Sequence, residues 1–211
     1  MSKSKELDLI FVGPQAAGKT TLFQVLQGNE APQRHEATAS NGESQTVRTM
    51  SKSGVFDRIN PFKVFTGNVF GGKVSILDAG GKMSEFNHYM EWCRKAEKII
   101  IVFNGIELLD EVENCEEGGE TTSFCRMLLS QLHEIDASNL YFIATHADWY
   151  SGGGGMCDEI QKRIKHANER YAALFNSKRY PMFGDMLGRL YEVNATDSAS
   201  VQNVFSSILS Q

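Results

Sequence analysis

Between the apolar run Leu7 to Val12 and a second apolar stretch, Thr20 to Leu26, the chain carries Gly13-Pro14-Gln15-Ala16-Ala17-Gly18-Lys19-Thr20. The pattern is glycine, four free positions, glycine, lysine and a hydroxyl residue. Glycines at both ends let the backbone curl until successive N–H groups point inward, and a helix starting at the second glycine turns its positive end to the same hollow. Phosphate oxygens suit that hollow. Lys19 is expected to reach β and γ phosphates and the Thr20 hydroxyl to ligate Mg²⁺, with Gly13, Gln15, Ala16, Ala17, Gly18 and Thr21 completing the cradle. By chance the four fixed positions coincide in on the order of one chain in a hundred. The strand before and the helix after are the context this chemistry requires.

The rest of the chain alternates as a parallel sheet demands. Phe62 to Phe70 and Lys73 to Leu77 are strand-like runs around Gly71-Gly72, which read as a tight hairpin because paired glycines supply the positive φ of such turns. A helix over Ser84 to Lys95, a strand Ile99 to Phe103, a helix Ser123 to Ile135 and a strand Leu140 to Thr145 follow. Asp158 to Phe175 then reads as a helix, Arg189 to Asn194 as a strand and Ser198 to Leu209 as a closing helix. The expected class is α/β: a mostly parallel sheet of about six strands, helices on both faces, and one antiparallel hairpin edge. Gln27 to Asn60 is polar and without period, as a surface segment is. The acidic stretch Leu108 to Thr122 and the glycine run Ser151 to Gly155 read as loops, the second a flexible connection or an engineered replacement of a longer one. At 211 residues a single domain, 1–211, is expected.

Composition narrows the partners. Hydrophobic content of 41% and charged content of 22% are those of a globular chain. The net charge of -5 comes with no basic stripe, which argues against nucleic acid. Cys93, Cys115, Cys125 and Cys157 lack paired spacing and no signal peptide is evident, so a reducing cytoplasmic location is expected. Position 2 is Ser, the Ile-Leu-Ser-Gln end lacks a prenylatable Cys, and no long apolar stretch occurs. No direct membrane anchor is expected, and any membrane contact runs through partners.

A phosphate loop alone does not separate the nucleotide enzymes that share it. Val74-Ser75-Ile76-Leu77-Asp78-Ala79-Gly80-Gly81 adds an apolar strand ending in Asp and followed by paired glycines. Asp78 is expected beside Lys19, holding Mg²⁺ through water, with the Gly81 N–H directed to the γ phosphate.

Together these residues resemble the Ras-like small GTPases of the P-loop NTPase class, above all the ADP-ribosylation-factor-like and Rag-like branches. Gly-Pro-Gln-Ala-Ala-Gly-Lys-Thr-Thr at 13 to 21 is close to the phosphate loop of the former. Phe65-Thr66-Gly67-Asn68 and the tail Tyr191 to Leu209 are similar to the latter. The resemblance implies GTP and GDP with Mg²⁺ as ligands, a switch function, and regulatory and effector proteins as partners, including a G-domain dimer or heterodimer. It also implies a base site at Thr145-His146-Ala147-Asp148, where the family carries [NT]-K-x-D. Asp148 then reads guanine, because a carboxylate offers two acceptors to two adjacent donors that adenine lacks. His146 stands in place of the family's lysine, keeping a ring to stack but losing a constant charge. Asn194-Ala195-Thr196 matches the turn whose Ala N–H contacts the guanine O6.

Two departures bear on catalysis. Lys82 occupies the position of the glutamine that orients water, and an ammonium has donors but no acceptor, so intrinsic hydrolysis is expected to be slow. His88 and Glu85 are the nearby alternatives. The first-switch magnesium ligand lies among Thr38, Thr46 and Thr49, with Thr49 preferred. Beside the GTP-hydrolysing switch stand two alternatives: a non-cycling module in which the nucleotide is structural, and a P-loop nucleotide kinase.

Overall fold

The structure is a computed structural model, and it describes residues 7–14, 16–28, 63–69, 72–78, 86–114, 137–175 and 189–211. Within them the chain runs β1 (Leu7–Val12), α1 (Lys19–Leu26), β2 (Lys63–Val69), β3 (Gly72–Asp78), α2 (Phe86–Lys95) and β4 (Ala96–Asn104). It continues through α3 (Gly105–Asn114), β5 (Leu140–Thr145), α4 (Met156–Phe175), β6 (Leu190–Glu192) and α5 (Ser198–Leu209). The described strands form one six-stranded sheet in the order β2-β3-β1-β4-β5-β6. β1 lies parallel to both β3 and β4, β5 parallel to β4 and β6, and only β2 runs antiparallel, paired to β3 from Val69↔Gly72 to Lys63↔Asp78.

Strands β1, β4 and β5 carry the apolar stretches Leu9 to Val12, Ile99 to Phe103 and Leu140 to Ala144, buried throughout because both of their faces are covered. Alternation sorts their side chains. Ile10, Val12, Ile99, Ile101, Phe103, Phe142 and Ala144 face one layer, against Met90 and Cys93 of α2, Leu108, Leu109 and Val112 of α3, and Met156, Ile160 and Ile164 of α4. Leu9, Phe11, Ile100, Val102, Tyr141 and Ile143 face the other, against Leu22, Phe23 and Val25 of α1 and Val201, Phe205 and Ile208 of α5. There the Phe11 and Phe205 rings meet at 5.4 Å and 56°, a tilted aromatic contact. The α/β class, the parallel core of the sheet, the hairpin edge and the helices on both faces are all present.

One expectation fails. The acidic stretch from Leu108 reads as a loop in sequence, yet Gly105–Asn114 is helix α3. Its apolar residues Leu108, Leu109 and Val112 share the buried face, while Glu107 and Asp110 point outward. Asn104 at the end of β4 starts the helix. Its Oδ1 accepts from the Ile106 N–H at 3.1 Å and the Glu107 N–H at 3.5 Å, capping donors that no earlier turn can satisfy. The glycine run is a loop as expected, whereas the helix read over Ser123 to Ile135 lies outside the described residues. No helix among the described residues is long and apolar enough to cross a membrane.

Candidate functional site

Parallel strands end at one edge, and in open sheets of this kind ligands lie outside those carboxyl ends, where the chain reverses its direction of travel across the sheet. Here β1 leads away towards β3 on one side while β4 leads to β5 on the other, so the reversal falls between β1 and β4. The loop following β1 sits on that line.

Gly13 leaves β1 so close to β4 that a Cβ would run into the Val102 carbonyl oxygen. That atom is backbone and cannot swing away. Replacing Gly13 with Ala is therefore expected to destabilise the fold by roughly 1–3 kcal/mol, as an overpacked core does. Urea unfolding followed by circular dichroism measures it, and a variant as stable as the parent refutes the close approach. Gly18 ends the loop at φ +86, the left-handed region, and its Cβ would stand 3.2 Å from the Thr145 Cγ2. As the N-cap of α1 it brings no side-chain acceptor, and the first turn of α1 holds no acidic residue. The positive end of the helix therefore faces the loop without a built-in anion.

Lys19, only 3% exposed, turns back under the loop it terminates. Its Nζ donates to the Gly13 carbonyl at 3.0 Å and to the Pro14 carbonyl at 2.6 Å. A buried ammonium needs such partners, since its transfer from water without them is prohibitive. The result is a cation fixed inside the curl of a backbone loop. Thr20 and Thr21 lie half-buried on the first turn of α1, Ala17 is buried, and Ala16 is exposed with φ 58. Gln15 lies outside the described residues.

Thr145, fully buried at the end of β5, ties the loop to its neighbours. Its hydroxyl lies 3.0 Å from the Ala17 carbonyl and 3.1 Å from the Phe103 carbonyl, bridging the loop after β1, β4 and β5 across 128 residues of sequence. Removing that hydroxyl in Thr145→Val keeps the shape and leaves buried carbonyls without their donor. The expected cost is about 1–3 kcal/mol of stability, read as a lowered midpoint in chemical denaturation. An unchanged midpoint would show the tie to be idle.

His146 follows with φ 65 and caps the short turn Ala147–Trp149, in which Asp148 is exposed. This turn and the one after β6 are stitched together, the Val193 N–H bonding the Ala144 carbonyl at 2.9 Å and the Ala147 N–H bonding the Val193 carbonyl at 3.4 Å. In the turn after β6, Asn194 Oδ1 accepts from the Thr196 N–H at 3.0 Å and from its hydroxyl at 2.7 Å. Ala195 is held nearly buried between them. Asp197 then caps α5 by accepting from the Ala199 N–H at 3.0 Å.

The sequence-derived residues thus gather at one edge: Gly13 to Thr21 after β1, Thr145 to Asp148 after β5, and Asn194 to Thr196 after β6. Asp78 is the last residue of β3, and two steps beyond the paired Phe11 and Ile76 it comes level with Gly13. His88 lies in the first turn of α2. Thr38, Thr46, Thr49, Gly81, Lys82 and Glu85 lie outside the described residues.

Three residues at this edge were missed. Asn104 caps α3. Trp149 packs its ring 4.6 Å from that of His146, tilted by 60°. Glu192 accepts from the Cys157 N–H at 2.8 Å and so supplies an anion to the first turn of α4. Spacing from Asp148 alone would have drawn attention to Trp149; nothing in the sequence flags the other two. Burial, with the carboxylates of Glu192 and Asp158 adding to it, pushes the Cys157 thiol up to about 12, and burial likewise pushes Cys93 up to about 12 against the opposing charge of Arg94. Both stay protonated at neutral pH and are poor nucleophiles. Among the described residues no group of three or more His, Cys, Asp and Glu is gathered to hold a metal.

No protein-family model matches the chain, and no curated protein matches it. Among solved structures it is similar to the Arl6 (BBS3) small GTPase from Trypanosoma brucei with the bound nucleotide analogue GppNp. The likeness covers 97% of this chain and 95% of that one at a TM-score of 0.52, with 15% sequence identity. The chain has the fold of that small GTPase.

Proposed function

We propose that this chain, as one domain, binds guanine nucleotide with Mg²⁺ at the carboxyl edge of its sheet and works as a switch whose unaided GTP hydrolysis is slow. The observation that carries the reading is the Thr145 hydroxyl, which bonds the loop around Lys19 to the strand end that leads into Asp148. A phosphate cradle and a base reader tied by one buried side chain suit a ligand with phosphates at one end and a purine at the other.

The fit rests on this chain's own groups. Gly13 admits no side chain, Gly18 leaves the N-terminus of α1 without a side-chain cap, and Lys19 is a buried cation within the loop. Backbone N–H groups from Gln15 to Thr21 and the Lys19 ammonium bind the phosphates. Asp148 accepts from the guanine N1–H and exocyclic amine, His146 flanks the ring, and the Ala195 N–H meets the O6. The fold relative was solved with a GTP analogue, which favours the same class of ligand here. Thr20 and Asp78, with Thr49 from the first switch, are hard oxygen donors of the class that Mg²⁺ takes, and would hold the ion. When bound, Mg²⁺ neutralises charge on the phosphate oxygens. Calorimetric titration is expected to show GDP binding that needs Mg²⁺, with ADP at least about 100-fold weaker because Asp148 repels the acceptor at its N1. Equal affinity for the two overturns the assignment of Asp148.

Lys82 bears on turnover. Lacking an acceptor, its ammonium cannot both orient water and donate to the γ phosphate, so GTP persists until a partner supplies the missing group. The same residue, with His146, favours a second reading in which the nucleotide is a permanent structural ligand. Single-turnover hydrolysis by Lys82→Gln separates them: a switch gains turnover when the amide is restored, whereas a non-cycling module gains little. Partners in either case are regulatory or effector proteins, including a second G domain, in the cytoplasm.

A further inference from the structure

We propose that Trp149 is a positioning residue for the base: together with Thr145 it fixes the His146 ring, with Nδ1 as a hydrogen-bond donor, as the plane against which the purine lies. This rests on the guanine-nucleotide reading above.

One proton decides the state of the ring. The Thr145 hydroxyl has a single hydrogen to give and lone pairs to receive. Around it stand the Ala17 carbonyl at 3.0 Å, the Phe103 carbonyl at 3.1 Å and the His146 Nδ1 at 2.9 Å. Both carbonyls are acceptors only. Were Nδ1 also an acceptor, three acceptors would compete for one hydrogen in a fully buried place, which is costly. With the hydrogen on Nδ1 the ring donates to the Thr145 oxygen, and the hydroxyl hydrogen is shared by the two carbonyls. The environment therefore selects the Nδ1–H tautomer.

That bond pins one edge of the ring, and Trp149 holds it from another side. The two ring centroids lie 4.6 Å apart at 60°, the tilted geometry in which a ring edge meets a ring face. The Trp149 N–H also bonds the His146 carbonyl at 3.0 Å, so side chain and backbone of the pair belong to one turn. Among the described residues Trp149 is the large hydrophobic left exposed, at 52%. A lysine at position 146 would present a long chain able to lie along the base by itself; an imidazole is short and must be aimed. His146 sits at φ 65, a conformation uncommon for a side-chain-bearing residue, which fixes the direction in which its ring leaves the backbone. Indole and hydroxyl then set its rotation.

The test compares parent, Trp149→Ala and Trp149→Phe by GDP titration, by the unfolding midpoint of the nucleotide-free protein, and by ¹⁵N spectra of the His146 ring. A His146 ring freed by loss of the indole must be ordered again when the base arrives, which corresponds to a roughly 2- to 10-fold weaker GDP complex. Trp149→Ala is expected to show that loss with the midpoint lowered only by the small contribution of one aromatic pair, Trp149→Phe to stay within about twofold of the parent, and the parent spectrum to show hydrogen on Nδ1. A Trp149→Ala variant that binds GDP like the parent overturns the proposal alone. So does a loss that Phe fails to restore, a nucleotide-free Trp149→Ala variant that no longer folds, or hydrogen found on Nε2 only. A parent that binds no GDP overturns the guanine reading, and this proposal with it.

Discussion

Lys19→Met is expected to weaken guanine-nucleotide binding by about 10²- to 10⁴-fold while leaving the fold intact. The estimate follows from what the ammonium does. A hydrogen bond to a charged group contributes about 1.5–3 kcal/mol, Lys19 is assigned two phosphate groups, and each 1.4 kcal/mol is a factor of about ten in affinity. Methionine keeps the length and much of the volume of the buried stem but removes every donor. The variant also loses the bonds to the Gly13 and Pro14 carbonyls, at 3.0 and 2.6 Å, so the loop loosens as well as losing its charge. Circular dichroism of the nucleotide-free variant separates the effects: a native spectrum with no measurable GDP complex is the expected pair of results. Retained affinity would mean that the loop around Lys19 is not the phosphate site.

The second large effect concerns the base. Asp148→Asn replaces two acceptors with one acceptor and one donor, leaving an amide N–H facing a guanine donor. Loss of one charge-assisted bond and the resulting clash of donors corresponds to about 2–4 kcal/mol, or roughly 30- to 1000-fold weaker GDP. Xanthine carries an oxygen where guanine carries the exocyclic amine, so the same amide should find an acceptor there. The expected outcome of parallel titrations is an exchange of preference, with xanthosine diphosphate gaining as GDP loses. A uniform loss for both bases would place Asp148 in the architecture of the turn instead of in the reading of the base.

The strands that could be read from sequence are those whose surroundings are simplest. Leu7–Val12 and Leu140–Thr145 are apolar but for Asp8 and the closing Thr145 because helices cover both faces, and polar or glycine residues mark their ends, so their limits fall where the pattern puts them. β4 was read as Ile99 to Phe103 but extends over Ala96–Asn104, since the charged Glu97 and Lys98 at its start interrupt the apolar signal without interrupting the strand. β6 was read too long, as Arg189 to Asn194, and contracts to Leu190–Glu192 at the edge of the sheet, where there is one neighbour to pair with. α3 is hidden by its own surface: Glu107, Asp110 and Glu111 interleave with the buried Leu108, Leu109 and Val112 and give the stretch an acidic look, and its start depends on a cap from the preceding strand.

The site divides in the same way. The close approach at Gly13, the left-handed backbone at Gly18 and the inward turn of Lys19 are legible because they follow from spacing along a single stretch of chain. Thr145 was named on the strength of a motif, but its hydroxyl bond to Ala17 spans 128 residues and depends on β4 lying between the two, which no local pattern encodes. The contact between His146 and Trp149 depends on a positive φ at a residue that sequence rules would not place there.

On the proposed function, the carboxyl edge of this sheet holds a guanine nucleotide. The most direct measurement is to purify the protein under native conditions, denature it, and identify the released small molecule by chromatography and mass. GDP or GTP, close to one per chain, is the result expected. An adenine nucleotide, or protein that carries none and takes up none when GDP and Mg²⁺ are added, would contradict it.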